Sequence, residues 1–541
     1  MSAEAEEKVS LRTWVAVIGG AVGCFMAGMN VHVTNASLPD IRGSLGATFE
    51  EGSWISTAYL VAEIIVIPLA AWLTQVFSMR RVLMTGTAGF VVFSILCSLA
   101  PNIGTMILAR TLQGAFGGVL IPLSFQLIVT ELPRSKHALG MALFAVSNNV
   151  AQAAGPSLGG WLTEMYSWRY IFYLQIPPGL ALLAAIGWSI RPTAPDLAKL
   201  RNGDWGGITA MALGLSALQI MLEEGERKDW FSSSFIVLSS LVAVVGLVAF
   251  VWTELRRAQP FINLRLLGAY NFGLASLMQF LFGAVVFGVV FLVPNYFADV
   301  QGYNAREIGL TMIPYGIVQF VMSFATPPLM RATSPRLAIG AGFVIMAIGC
   351  LMNIHLDMDA AKNTIVPSLI VRGVGQSLIV VALGVMAVDG LDKAELGSAS
   401  GVFSMVRNVG GAIGIAMASQ LVVVRQKFHA ERIGEHVTPY LAAYRDRIAQ
   451  GVARLAGHAV APSDALQGAA YAGLRQRSLA QLASVVHKQA LLEAYSDVFL
   501  LAGVTMLLCA SGAFLFRSAR HAEPKAISDA AEAMEATVEV A

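Results

Sequence analysis

The chain has 541 residues, of which 56% are hydrophobic and only 13% are charged, whereas roughly 25% of the residues are charged in an average soluble protein. The mean hydropathy is +0.66, and apolar stretches repeatedly approach the ~20 residues that a helix needs to cross a bilayer. This composition excludes a soluble globular protein and indicates a membrane protein with many spans. The net charge of +2 gives no reason to expect binding to nucleic acid.

Fourteen apolar stretches follow one another along the chain, and each is predicted to be a helix because an isolated spanning segment has no other way to satisfy its backbone. The first six are 13–37, 53–76, 82–100, 104–130, 138–162 and 169–190. After a polar link come 205–222 and 233–253. The last six are 270–298, 307–330, 337–355, 364–388, 397–424 and 496–517.

Positive charge is concentrated in the loops that follow even-numbered spans. These loops carry Arg80, Arg81, Arg134, Lys136, Arg191, Lys199, Arg201, Arg256, Arg257, Arg265, Arg331, Arg336 and Lys393. Loops after odd-numbered spans are much poorer in Lys and Arg, the one long loop aside. The positive-inside rule therefore predicts that both termini are cytoplasmic.

A weak internal repeat suggests how the spans are grouped. R-T-L-Q-G at Arg110 and R-G-V-G-Q at Arg372 lie eight spans apart, as expected for two six-helix halves separated by two inserted helices. We predict bundles at 1–190 and 266–520, with the inserted pair at 191–265. A long outer loop at 425–495 is either a partner-contact element or a solvated helical hairpin, and the cytoplasmic tail at 521–541 is predicted to be disordered.

Span five carries an unusual set of small and helix-breaking residues. Gly155, Pro156, Gly159 and Gly160 interrupt an apolar run. Proline removes an amide donor, while glycine lets a neighbouring helix approach closely. We expect a bent helix at a moving interface, packed against the opposite half.

Glu63 is the clearest candidate for proton coupling, because it lies about ten residues into span two with no Lys or Arg close in sequence. A charge in the bilayer core costs ~2.5–3.5 kcal/mol on insertion scales, so a carboxyl group there favours its neutral form and can carry a proton. The alternative is a carboxylate that faces a wet vestibule or a cation on another helix.

Three arginines also lie within spans. Arg110 in span four, Arg407 in span thirteen and, by repeat position, Arg372 in span twelve keep their charge when buried and need acceptors or an anionic ligand. For Arg110, the alternative is a side chain that extends to the outer surface of the membrane. Arg407 has the alternative of binding backbone carbonyls.

Other polar side chains in the spans are candidates for coupling or for a substrate cavity. His32 titrates in the physiological range and is a candidate proton relay. The candidates for the substrate cavity are Asn30, Ser124, Gln126, Asn148, Asn149, Gln152 and Arg407. Each alone is equally consistent with a hydrogen bond between helices.

Nothing in the sequence supports an enzyme. The chain has no G-x-x-x-x-G-K-[ST] loop for ATP and no H-E-x-x-H motif. Its four cysteines sit singly in apolar stretches, without the spacing of a metal site or a disulfide framework. We expect no cofactor and no metal.

Several motifs together resemble the fourteen-span drug:proton antiporter family of the major facilitator superfamily, especially its EmrB-type members. G-P-S-L-G-G at 155–160 is similar to the antiporter motif of span five, and R-T-L-Q-G at 110–114 to the span-four motif, whose arginine is implicated in proton coupling. The remaining matches are W-R-Y-I-F-Y-L-Q-I-P-P-G at 168–179, D-W-G-G at 204–207, L-Q-I-M-L-E-E-G at 218–225 and D-W-F-S-S at 229–233.

The chain departs from this family in span one and in the loop that follows span two. The position of the family's span-one acidic residue holds Asn30, and the loop motif reads A-W-L-T-Q-V-F-S-M-R-R at 71–81, without its aspartate and glycines. We therefore hypothesise that Glu63, with His32, takes over proton exchange.

The resemblance implies an all-helical transporter of the bacterial inner membrane that exports amphipathic or aromatic compounds in exchange for protons. It also implies a periplasmic adaptor and an outer-membrane channel as partners. One alternative is a dedicated exporter of a single metabolite such as a siderophore or a fatty acid. Another is a non-transporting membrane receptor or scaffold, suggested only by the missing span-one carboxylate.

Overall fold

The computed structural model describes residues 9–201, 203–257, 260–356, 362–392, 395–438, 440–457 and 469–517. Within these ranges the chain forms helices and no strands, which confirms the all-α prediction. The predicted tail at 521–541 and Lys393 lie outside the described residues.

The first part of the chain contains eight helices. They are α1 Leu11–Ser44, α2 Phe49–Phe77, α3 Met79–Ser98, α4 Ile103–Gly117, α5 Leu120–Glu131, α6 His137–Met165, α7 Tyr170–Tyr173 and α8 Ile176–Ser189. Predicted span four is made of α4 and α5, which are separated at Gly118 and Val119. Local sequence fixes several starts: the side chain of Thr48 and that of Glu51 form a capping box at α2.

The rest of the chain adds ten helices. They are α9 Leu197–Arg201, α10 Trp205–Glu224, α11 Ser234–Arg256, α12 Tyr270–Asp299, α13 Ala305–Ala332, α14 Pro335–Leu351, α15 Lys362–Val388, α16 Leu396–His436, α17 Ala442–Gly457 and α18 Ala469–Gly512.

Twelve helical segments in the described ranges are long and apolar enough to cross a bilayer, when α4 with α5 and α7 with α8 are each taken as one segment. Two further helices fall on predicted spans: α6 on span five, and α14, which has 17 residues, on span eleven. The count of fourteen spans and the cytoplasmic termini remain predictions.

Helix packing pairs spans that lie four apart. In the first part of the chain α1 packs along α6, and in the last part α12 packs along α16, eight spans later. The two parts meet where α6 packs on α13 and where α2 packs on α16. Span five therefore lies against a helix of the opposite predicted bundle.

The inserted helices α10 and α11 pack on each other, and α10 also contacts α2. Gly214 and Gly246 bring their backbones together, since a Cβ at Gly214 would lie 2.7 Å from the amide nitrogen of Leu247. The outer face of α11 exposes large apolar side chains, among them Val237, Leu238, Leu241, Val244, Val245 and Val248. Such a face is suited to lipid.

The segment 425–495, expected as a long loop, is helical over most of its described length. α16 continues to His436, α17 covers Ala442–Gly457, and α18 begins at Ala469. With a rise of 1.5 Å per residue, the 41 residues of α16 extend over roughly 60 Å, about twice the ~30 Å hydrocarbon core. Part of α16 must therefore project beyond the membrane.

The tightest packing of α16 yields a first prediction. A Cβ at Gly414 would overlap the backbone carbonyl of Ala284 in α12, whereas nothing lies within 4 Å of a Cβ at Gly434 in the same helix. We expect Gly414→Ala to lower the free energy of unfolding by about 1–3 kcal/mol, as overpacking does. Gly434→Ala is the matched control and should be neutral or stabilising by up to about 1 kcal/mol, because alanine favours helix.

Thermal unfolding of the two purified variants, compared with the wild type, measures this difference. Equal unfolding temperatures would show that α12 and α16 do not approach as closely as described.

Candidate functional site

Arg110 lies at the centre of a buried polar network. Its side chain is 1% exposed. Nε donates to the carbonyl of Ile55 at 3.1 Å, and Nη1 donates to Asn30 Oδ1 and to Gln113 Oε1, both at 2.6 Å. The guanidinium carbon lies 4.3 Å from the ring centroid of Tyr59. Arg110 therefore faces the helix bundle and does not reach to the outer surface.

Asn30 lies at the position where the resemblance to the antiporter family implies an acidic residue. Its Oδ1 accepts a hydrogen bond from Arg110. An amide oxygen satisfies the donor but brings no negative charge. The positive charge of Arg110 is therefore held by neutral acceptors and by the ring of Tyr59, not by an ion pair.

Glu63 lies one helical turn after Tyr59 on α2 and is 8% exposed. Among the described residues, no side chain forms a hydrogen bond or ion pair with its carboxyl group. Tyr59, one turn before Glu63, packs its ring on the guanidinium of Arg110. The backbone of Glu63 packs at the break between α4 and α5, since a Cβ at Gly118 would lie 2.9 Å from its carbonyl oxygen. Glu63 is thus an unpaired acidic group one helical turn from the residue that contacts a buried cation.

The glycines of span five pack on α1. A Cβ at Gly155 would lie 2.5 Å from His32 Cβ, and one at Gly159 would lie 2.7 Å from the carbonyl oxygen of Val33. Pro156 lies inside the continuous helix α6, and Gly160 is partly buried. His32 is also partly buried, and in the described part of the chain it forms no hydrogen bond or ion pair. The structure brings His32 to the antiporter motif and not into the network of Arg110.

The opposite face of α6 meets the other predicted bundle. Gln376 Nε2 on α15 donates to Asn149 Oδ1 at 2.9 Å, and the hydroxyl of Tyr315 on α13 donates to Gln376 Oε1. Asn148 and Gln152 are 4% and 3% exposed, and each has one buried amide atom without a hydrogen-bond partner. The hydrogen bonds from Tyr315 to Gln376 and from Gln376 to Asn149 link α13, α15 and α6.

Arg372 occupies the repeat position of Arg110 but is held differently. It is also 1% exposed, yet it donates only to the carbonyl and the hydroxyl of Ser368, at 3.3 and 3.2 Å. Its Nη1 is buried without a partner. The aromatic ring nearest to its guanidinium carbon is Phe499, at 5.3 Å.

Arg407 lines a narrow cavity where helices of both predicted bundles meet. The cavity walls include Phe125, Phe144, Gln279, Phe403, Ser404 and Arg407. Arg407 is 5% exposed, and its Nε and Nη2 are buried without hydrogen-bond partners. The rings of Phe125 and Phe403 lie 5.7 Å apart across the junction of α5 and α16.

Two further candidates for the cavity lie nearby on α5. Gln126 donates to Thr74 Oγ1 on α2 at 3.4 Å and packs against Gly397 of α16. The hydroxyl of Ser124 donates to the carbonyls of Leu120 and Gly20, which ties α5 to α1. Gln126 therefore belongs to the junction of the bundles, while Ser124 links helices within one of them.

The loop between α10 and α11 contacts both predicted bundles. Arg227 donates to Ser53 at the start of α2 and pairs with the buried carboxylate of Glu224. A second set of hydrogen bonds reaches α16, where Trp230 Nε1 donates to Gln420 Oε1 at 2.6 Å and Ser419 donates to Glu226. The loop thus joins the starting end of α2 to the middle of α16.

The described residues contain no group of His, Cys, Asp and Glu side chains arranged to hold a metal ion. The four cysteines are buried and are not joined in disulfides.

Several residues of these networks were not predicted from the sequence. Gln113 and Gln376 lie three and four residues after Arg110 and Arg372, so helical periodicity places each on the same face as its arginine. Both glutamines could therefore have been predicted from the sequence. No pattern in the sequence points to Tyr59 or Gln279, because their roles arise only from packing between helices.

The family model of the Major Facilitator Superfamily matches residues 20–415, which is most of the chain. The chain belongs to the Major Facilitator Superfamily. This confirms the predicted fold class and shows that the protein is a transporter rather than an enzyme. The many apolar helices and the bacterial relatives confirm a multi-pass location in the bacterial inner membrane.

Curated relatives cover most of the chain. The fatty acid resistance protein FarB of Neisseria gonorrhoeae is 31% identical over 438 residues, which are 81% of this chain and 86% of FarB. The multidrug export protein EmrB of Haemophilus influenzae is 30% identical over 78% of this chain and 82% of its own length. The colistin resistance protein EmrB of Acinetobacter baumannii is 27% identical over 94% of this chain and 97% of its own length. The resemblance to EmrB-type proteins is confirmed.

A solved structure has the same fold. The human organic anion transporter MFSD10 aligns over 91% of this chain and 99% of its own, with a TM-score of 0.55 and 13% identity.

The two repeat-related arginines yield a second prediction. Arg110→Gln removes the donor from three buried acceptors, and we expect it to lower the free energy of unfolding by about 3–5 kcal/mol. Arg372→Gln is the matched control, because its guanidinium is equally buried but already incompletely paired. We expect Arg372→Gln to lower the free energy of unfolding by clearly less than Arg110→Gln does. Thermal unfolding of both purified variants measures the difference, and an equal or larger loss for Arg372→Gln would contradict the assigned network.

Proposed function

We propose that this transporter exports amphipathic or aromatic compounds across the bacterial inner membrane, driven by the entry of protons. The observation that carries the proposal is the buried, unpaired carboxyl group of Glu63, one helical turn from Tyr59, whose ring contacts the buried guanidinium of Arg110, in a chain whose relatives are named as multidrug export and resistance proteins. A carboxyl group in that position changes the local charge balance each time it gains or loses a proton.

The proposed cycle couples this charge change to two packed states. Loss of the proton from Glu63 leaves a carboxylate attracted to Arg110, and gain of the proton removes that attraction. The break between α4 and α5 packs on the backbone of Glu63, so a displacement of α2 at Glu63 would be passed on to span four. A ligand or proton biases such an equilibrium only by interacting differently with the two states.

The span-one carboxylate of the family is replaced by Asn30, whose amide oxygen cannot exchange a proton with solvent. Asn30 therefore positions Arg110 in this proposal, and Glu63 carries the proton. His32 is a second exchange group on the α1 side, held against Gly155. The glycine face of α6 keeps α1 and α6 together while its amide face meets α13 and α15.

A dedicated exporter of fatty acids is the second candidate function, because FarB is the most identical of the three relatives compared above. We further propose that a periplasmic adaptor and an outer-membrane channel complete the pump. The helices α16, α17 and α18 support this partner, since they project beyond the membrane and offer a helical surface.

A vesicle assay tests proton coupling, and Glu63→Gln is the informative variant. Glutamine has nearly the same size but cannot exchange a proton. The lumen of an everted vesicle corresponds to the outside of the cell, so export is measured as dye transport into the lumen. With an imposed proton gradient, we expect this transport by Glu63→Gln to fall to the level that the wild type shows with a protonophore. Exchange of labelled for unlabelled substrate without a gradient should persist.

Glu50→Gln is the matched control, because Glu50 is an exposed carboxylate in the first turn of the same helix. It should retain proton-driven efflux. Full efflux by Glu63→Gln would remove Glu63 from the mechanism. Absence of gradient-dependent efflux from the wild type, over a panel of unrelated compounds and fatty acids, would favour a receptor or scaffold.

A further inference from the structure

The D-W-G-G segment at 204–207 and the end of α11 bring two buried carboxyl groups together. Asp204 caps the start of α10 and is 2% exposed, and Glu254 lies in the last turn of α11 and is 0% exposed. A Cβ added at Gly207 would lie 2.7 Å from Asp204 Oδ2 and 2.8 Å from Glu254 Oε1. Both oxygens are therefore directed at the same point, and the distance between them cannot exceed the sum of these two distances.

Each of these two facing oxygens is buried without a hydrogen-bond partner. The other oxygen of Asp204 accepts from the amide of Gly207 at 2.8 Å and from Arg257 Nη1 at 3.0 Å. The other oxygen of Glu254 accepts from the amide of Ile262 at 3.2 Å. Ionised carboxylates only accept hydrogen bonds, so a hydrogen bond between the two facing oxygens requires a proton on one of the two groups.

The charge of the cluster leads to the same requirement. Among the described residues, Arg257 is the cation within ion-pair distance of the two carboxyl groups, and it pairs with Asp204. If Glu254 were also ionised, its negative charge would be buried without compensation, which is costly. A single proton held between the two groups makes the cluster neutral.

Other charged groups nearby do not change this balance. Arg265 in the following loop donates to the carbonyls of Leu255 and Arg257 and not to either carboxyl group. On the side of α2, the residue that packs beside the start of α10 is the uncharged Trp72.

The hydrogen bonds also indicate which group holds the proton. Asp204 receives a neutral and a charged donor on its Oδ1, and such donors favour an ionised carboxylate. Glu254 receives one neutral amide. Glu254 therefore carries the proton on Oε1 and donates it to Asp204 Oδ2.

The pair lies where the inserted helices meet both predicted bundles. At the start of α10, Trp205 packs edge-to-face on Trp72 of α2, with ring centroids 5.9 Å apart. Beyond the end of α11, the amide of Asn263 donates to Ser398 Oγ on α16 at 2.8 Å. The distribution of Lys and Arg among the loops predicts that this end of the molecule faces the cytoplasm.

We propose that Asp204 and Glu254 form a proton-binding site that locks this junction. With the proton bound, the site joins the start of α10 to the end of α11, and Glu254 also holds the loop before α12 through Ile262. When the cytoplasm becomes alkaline, Glu254 releases its proton to water, the two carboxylates repel each other and the junction loosens. The site is separate from Glu63 and goes beyond the proposed transport cycle.

Thermal unfolding of the purified full chain between about pH 5 and about pH 9 tests the site, because this range covers the titration of buried carboxyl groups in general. A site that needs a proton contributes stability at the acidic end and loses it as the pH rises. Glu254→Gln keeps a donor for Asp204 and an acceptor for Ile262 but has no proton to lose. We expect the unfolding temperature of the wild type to fall toward alkaline pH by at least about 2 °C more than that of Glu254→Gln.

A second variant and a control complete this experiment. Asp204→Asn supplies an amide donor to Glu254, which then stays ionised opposite Arg257, so this variant should also lack the additional alkaline fall. Asp196→Asn is the matched control, because Asp196 is an exposed carboxylate in the link before α10, 3.7 Å from Lys199. It should show the full fall of the wild type.

Infrared spectroscopy detects the proton itself, since a protonated carboxyl group has a C=O band that a carboxylate lacks. The measurement uses the Glu63→Gln background, so that Glu63 does not contribute to this band. At neutral pH we expect the band to be weaker after the additional substitution Glu254→Gln and unchanged after Asp196→Asn.

Hydrogen exchange reports the junction. After correction for the intrinsic effect of pH on exchange, the amide of Ile262 should exchange faster at alkaline pH in the wild type but not in Glu254→Gln.

Several results would overturn the proposal. They are an equal alkaline fall of the unfolding temperature in wild type and Glu254→Gln, a carboxyl band that does not depend on Glu254, or exchange at Ile262 that is unaffected by pH. A uniform loss of stability in Glu254→Gln at every pH would show a structural role without a bound proton. The proposed function fails separately, because full proton-driven transport by Glu63→Gln would leave these three readouts unchanged.

Discussion

The burial of positive charge in a bilayer is the physical constraint that most strongly shapes this structure. Three arginines lie inside the helix bundle, and each must replace the water that it lost. Arg110 does so with two amides, a carbonyl and the ring of Tyr59. Arg372 is satisfied only in part by Ser368. Nε and Nη2 of Arg407 have no hydrogen-bond partner that replaces the lost water. The three arginines therefore differ in how completely protein groups replace their lost hydration.

Span five shows how one helix can serve two neighbours. Its small residues let α1 approach to backbone distance, whereas its amides face α13 and α15. Close packing in a membrane depends on van der Waals contact, since apolar side chains gain little by leaving lipid. The glycines hold two helices of one predicted bundle together, and the hydrogen bond between Asn149 and Gln376 crosses to the other. In the proposed cycle, a movement of the bundles has to change only the second kind of contact.

Much of the fold could be predicted from composition and periodicity. Apolar stretches of spanning length predicted the helices, and the isolated acidic residue Glu63 was recognisable because charge is rare in such stretches. Arg110 was identified as well, but its partners were not, because Asn30 and Ile55 come from helices far away in the sequence. The same holds for Arg407: the sequence shows a charged residue in an apolar helix, but whether it is paired depends on which helices surround it. The helical length of α16 was also underestimated, since its polar second half has the composition of a solvated link.

The loop between the inserted helices α10 and α11 connects helices of both predicted bundles. An apolar pair on the periphery would be expected to act as a passive spacer, and the outer face of α11 fits that description. The loop does not fit the description of a passive spacer. Arg227 forms a hydrogen bond with Ser53 of α2. Trp230 and Glu226 form hydrogen bonds with Gln420 and Ser419 of α16. Excision of α10 and α11 would therefore remove the hydrogen bonds that connect α2 to α16, and these two helices of different predicted bundles would be held together less firmly.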